Sequence, residues 1–111
     1  EGKEHSMAGI LPFKAKKGDL KIGYREAIIK NKSPIIANRD KIIGHEFHRW
    51  EIIKENYNSK IKPIWDIKGW NLEQRSEGFC NHLIHASWIH LHWASSPQII
   101  DNWKKTVISC Q

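Results

Sequence analysis

Between residues 78 and 93 apolar side chains (Leu83, Ile84, Ala86, Ile89, Leu91) interleave with histidine and tryptophan at a spacing that suits an extended backbone. This run predicts a hairpin or one long strand and sets the character of the chain, which must build a sheet around it. Within Ala86-Ser87-Trp88-Ile89-His90-Leu91-His92-Trp93 a period of two puts Trp88, His90 and His92 on one face and Ser87, Ile89, Leu91 and Trp93 on the other. Two imidazoles thus face the same way. Histidine suits proton transfer because its unperturbed pKa of about 6.5 lets small environmental effects select either form near neutrality. The residues alone leave a structural and a catalytic role open for each.

Other extended segments supply the partners. Met7-Ala8-Gly9-Ile10-Leu11-Pro12 reads as a short strand stopped by proline, and residues 14–19 as a charged turn. Residues 20–29 and 41–53 read as strands, separated by the breaker Asn31-Lys32-Ser33-Pro34 and a turn over Ala37-Asn38-Arg39-Asp40. Residues 54–60 read as a loop and 61–67 as a further strand. Ser95-Ser96-Pro97 predicts a hydroxyl-capped helix start, with Ile99, Ile100, Trp103, Thr106 and Val107 forming an apolar stripe that packs on the sheet. No repeat or linker divides residues 1–111, so the expectation is one unit: a mixed sheet followed by a terminal helix.

A second constellation is Gly44-His45-Glu46-Phe47-His48-Arg49-Trp50. It is one residue short of the helical H-E-x-x-H zinc motif, and on a strand His45 and His48 point to opposite faces, which argues against a shared metal. Glu46 and His48 share a face, so a Glu–His hydrogen bond or a common pocket wall is available. His90 and His92 could also ligate a metal, but the spacing supplies no third ligand, and no metal site is expected.

Composition excludes several classes. No apolar run approaches the roughly 20 residues of a membrane span, and no signal-peptide pattern opens the sequence, so a cytoplasmic protein without a membrane partner is expected. Cys80 and Cys110 are too few for a disulfide framework. The net charge of +6 would permit an anionic partner, but the lysines are scattered and form no nucleic-acid footprint.

Four of these segments carry a resemblance. Met7-Ala8-Gly9-Ile10-Leu11-Pro12, Gly23-Tyr24-Arg25-Glu26-Ala27, Gly44-His45-Glu46-Phe47-His48 and the run from Ala86 to Pro97 resemble, in that order, the cobyrinic acid a,c-diamide synthases. The resemblance implies an α/β fold, a partial class I glutamine amidotransferase-like mixed sheet made of the later strands plus the C-terminal helix. It implies ATP-dependent amidation of the a and c carboxylates of a corrin, with ammonia drawn from glutamine by a cysteine thiolate that a histidine activates. His90 matches that histidine, and His92 is the second choice. His45, Glu46, His48, Tyr24 and Arg25 are expected to line the cleft.

The family's Cys-Gly-Gly-type nucleophile turn is absent from this chain, and Cys80 reads as a structural thiol. The chain alone is therefore expected to be inactive, with glutamine, the corrin, ATP and Mg engaged by the full enzyme and no cofactor held here. The competing expectations are a free-standing, non-catalytic binding module built on the same scaffold and a basic nucleic-acid binder.

Overall fold

The computed structural model describes residues 2–37, 41–53 and 60–110. Among the described residues seven strands precede one helix: β1 (Lys14–Ile29), β2 (Lys41–Ile53), β3 (Trp65–Gly69), β4 (Leu72–Glu77), β5 (Phe79–Cys80), β6 (His85–Ala86), β7 (Ile89–His90) and α1 (Gln98–Ser109). Five of them form a sheet in the order β4-β3-β1-β2-β7, and β5 and β6 pair separately. Every ladder is antiparallel, so the α/β unit has an antiparallel sheet where a mixed one was expected.

Register follows from side-chain alternation. On one face lie Arg25, Ala27 and Ile29 of β1, Ile42, Gly44, Glu46 and His48 of β2, and Trp65 and Ile67 of β3, all of them buried. Ala27 pairs with Ile67 and Ile29 with Trp65, and these join Ile36, Ile64, Cys80, Ile89 and Ile99 in one core. The opposite face remains open, with Ile22, Tyr24, Ile43 and Phe47 exposed by 54%, 75%, 62% and 55%. A sheet covered on one side reads as apolar-in and polar-out. Here the outer face is apolar as well.

Several expectations are corrected. Residues 7–12 are in no strand: Met7 and Ile10 are exposed, and the segment has no ladder to join. The expected turn at 14–19 lies inside β1, where a register shift between Lys17 and Lys21 absorbs Gly18 and Asp19. β3 starts at Trp65, because Pro63 has no N–H to give a ladder and Lys62 instead bridges Cys80. β4 was not anticipated; it closes a hairpin on β3 through Trp70 and Asn71, the latter at φ 50°. The expected loop at 54–60 and the turn at 37–40 lie largely outside the described residues.

Residues 78–93 form neither one strand nor one hairpin. They make the small β5–β6 hairpin, the two-residue β7 and a 3₁₀ turn at Trp93–Ser95. The helix begins where proline predicts, but no serine hydroxyl caps it; the Ser96 carbonyl accepts from the Ile99 N–H. Its buried contact is Ile99, while Trp103 and Val107 stay about half exposed. Asn102 and Thr106 donate to the carbonyls of Ile35 (3.3 Å) and Pro34 (2.8 Å), so α1 is tied to the 33–36 segment.

Candidate functional site

β1 and β2 place the resemblance residues on both faces of the sheet. On the open face Tyr24 pairs with His45, and His45 with His90, so three side chains run in a row across β1, β2 and β7. The Tyr24 and His45 rings meet edge to face, 5.2 Å between centroids. His90 is exposed, and its ring makes no hydrogen bond among the described residues. His92 lies beyond β7, where its Nδ1 is 3.2 Å from Ser95 Oγ. The same-face relation expected between His90 and His92 therefore does not arise from a continuous strand.

On the covered face Glu46 is fully buried and takes three partners. Arg25 Nε donates to Oε2 at 2.7 Å, and His48 Nε2 and Arg75 Nη2 both reach Oε1, the histidine at 2.8 Å. Burial pushes the Glu46 carboxyl up, but Arg25, His48 and Arg75 together outweigh it and hold it below the ordinary carboxylate range. The Trp50 N–H donates to His48 Nδ1 at 3.2 Å, which leaves the ring proton on Nε2, directed at Glu46. The Glu46–His48 pairing is what their shared face in an extended segment predicts.

Arg25 also donates to the carbonyls of Tyr24 and Ile22, at 3.1 and 3.2 Å. Its guanidinium needs Gly23, which sits at φ 139°; a Cβ there would lie 2.7 Å from Arg25 Nη1. Arg25, Glu46 and His48 thus form a buried lock, whereas Tyr24, His45 and His90 share the open surface.

A second carboxylate, Glu77 at the end of β4, was not singled out from the sequence. It is 5% exposed and accepts from Trp65 Nε1, from Ser87 Oγ at 2.7 Å and from the Trp88 N–H at 2.9 Å. The Trp88 indole in turn stacks on His48 at 4.3 Å and 16°. The polar composition of β4 hides it; the only available signal was alternation, which puts Arg75 and Glu77 on the face of Ile67 and Trp65, their ladder partners.

β7 approaches β2 closely because position 44 has no side chain. A Cβ on Gly44 would lie 2.2 Å from Ile89 Cγ2 and 3.0 Å from the His90 carbonyl oxygen. Cys80 belongs to the core, and its burial raises the thiol pKa despite Lys62, which makes it a poor thiolate. Among the described residues no three His, Cys, Asp or Glu side chains are placed to hold a metal ion, and no helix is long and apolar enough to cross a membrane.

Fold and site together define a small α/β domain that presents histidines on an open sheet face, backed by two buried carboxylates. By sequence the chain is similar to cobyrinate and hydrogenobyrinate a,c-diamide synthases. It is 33% identical to the hydrogenobyrinate a,c-diamide synthase of Streptomyces coelicolor over 84% of this chain and 18% of that protein. It is 30% identical to the cobyrinate a,c-diamide synthase of a Synechococcus species over 93% of this chain and 22% of the relative. The Synechocystis cobyrinate a,c-diamide synthase is 26% identical over the whole chain and 23% of its own length. The chain spans about a fifth of the length of these curated relatives. No family model matches it, and no solved structure does.

Proposed function

We propose that this chain is the C-terminal portion of the glutamine amidotransferase domain of a cobyrinic acid a,c-diamide synthase and supplies the histidine side of its glutaminase site. The fold would then be part of a class I glutamine amidotransferase-like domain. The observation that carries the reading is His90: exposed, its ring without a hydrogen bond among the described residues, and aligned with His45 and Tyr24 on the open face, within the Trp-Ile-His-Leu-His run.

His90 takes the proton of a cysteine thiol from a part of the synthase other than this stretch. The thiolate attacks the glutamine carboxamide carbon, and the nitrogen leaves as ammonia once protonated, giving a thioester that water hydrolyses to glutamate. Holding a thiol two pKa units below its usual value takes about 2.7 kcal/mol, which an adjacent imidazolium in a partly dry site can provide. ATP and Mg belong to the synthetase domain of the parent enzyme, where the corrin carboxylates are activated for amidation in cobalamin biosynthesis. Its setting is the cytoplasm.

Glutamine hydrolysis tests the division of labour. Mixed with glutamine, the 111-residue chain releases no ammonia above background. Steady release that Cys80→Ser abolishes would show that the chain holds its own nucleophile and would overturn the assignment.

A further inference from the structure

We infer that Glu77 is a positioning residue for His90, acting through Ser87 and Trp88 from the opposite face of the sheet. The inference rests on the reading of His90 as the activating histidine. β7 is only two residues long, Ile89–His90, and a strand so short cannot fix its own register. Something outside the ladder must set it. Both oxygens of Glu77 serve the two residues that enter β7: Oε2 accepts from Ser87 Oγ at 2.7 Å and Oε1 from the Trp88 N–H at 2.9 Å. Ser87 Oγ passes the constraint on, because it accepts from the Ile89 N–H at 2.9 Å.

Glu77 itself is held. Trp65 Nε1 donates to Oε2, and Trp65 is fully buried in the core. Unlike Glu46, which has two arginines and a histidine, Glu77 is met among the described residues by neutral donors alone, with no cation among them. Burying a carboxyl group without a cation is costly unless its hydrogen bonds are made, so the segment at 87–89 is fixed by the same contacts that make the burial tolerable. Trp88, stacked on His48, is gripped from a second side. The outcome on the far face is a defined place for the His90 ring beside His45.

Glu77→Gln keeps the shape but replaces one acceptor oxygen by a donor, and Ser87→Ala removes one link alone. In the 111-residue chain, amide exchange at His45 and His90 should accelerate by about tenfold in both variants, while exchange at the other residues of the β1–β2 ladder stays unchanged. In the full-length synthase carrying this stretch, both should lower kcat for glutamine hydrolysis by about tenfold, with KM for glutamine and ammonia-supported amidation unchanged. A purely structural role would depress both activities together. Unchanged exchange at His45 and His90, or faster exchange with unaltered kcat, overturns the inference. If His90→Ala leaves glutamine hydrolysis intact, the reading of His90 fails instead, and exchange at β7 still decides whether Glu77 sets the strand.

Discussion

Glu46 shows how much a single residue can hold. Its carboxylate satisfies Arg25, His48 and Arg75 at once, so removing it strands two guanidinium groups, one of them buried. Breaking a buried ion pair by deleting one partner typically costs about 3–5 kcal/mol. Glu46→Ala should lower unfolding stability by about that amount in urea titration, and a loss under 1 kcal/mol would contradict the lock. The shared face of Glu46 and His48 was legible from extended periodicity alone. The role of Arg75 was not, because nothing local marks a polar run such as Leu72–Glu77 as a strand until its partner is known.

At the scale of elements, β7 depends on the glycine opposite it. Gly44→Ala should push β7 from β2 and cost about 1–3 kcal/mol, as overpacking does, with loss of amide protection concentrated at His45 and His90. The β5–β6 hairpin carries a pH dependence. Burial lowers the His85 pKa from 6.5 to about 4, its Nδ1 lies 2.8 Å from Ser33 Oγ, and its ring meets Trp65 edge-on at 5.4 Å. The unfolded chain therefore binds this proton more readily than the folded one. Stability from His85 is complete above pH 6.5 and falls as pH drops toward 4, by on the order of 3 kcal/mol in all. His85→Gln should flatten that slope in urea titrations between pH 4 and 7.

The bounds of β2 were legible in the sequence, and buried positions alternate in it from Lys41 to His48. The run at 78–93 was not legible. Its alternation suits a strand, yet Glu77 captures Ser87 and the Trp88 N–H and breaks the segment into short pieces. Tertiary hydrogen bonds won over local pattern. The helix stripe held at Ile99 but not beyond it, for a related reason: α1 is fastened further along through Asn102 and Thr106 to backbone carbonyls, and Trp103 stays half exposed.

The whole molecule has one covered and one open sheet face, and the open one carries Ile22 and Phe47 as an exposed cross-strand pair beside Ile43 and Tyr24. Apolar patches of this kind drive association. The isolated chain should self-associate as concentration rises, and Phe47→Lys should shift its sedimentation toward the 13.0 kDa monomer; a wild-type chain that stays monomeric throughout would contradict this. The resemblance that named the family rests on motifs split between the two faces, which is why it identified His90 and Glu46 together without revealing that a sheet separates their side chains.

The most direct measurement is amidation by the full-length synthase carrying His90→Ala, run once with glutamine and once with ammonia as nitrogen donor. The account predicts a loss of about 100-fold or more with glutamine and near wild-type turnover with ammonia, since only the glutaminase step needs the imidazole. Equal rates from the two donors, or undiminished turnover with glutamine, would contradict it.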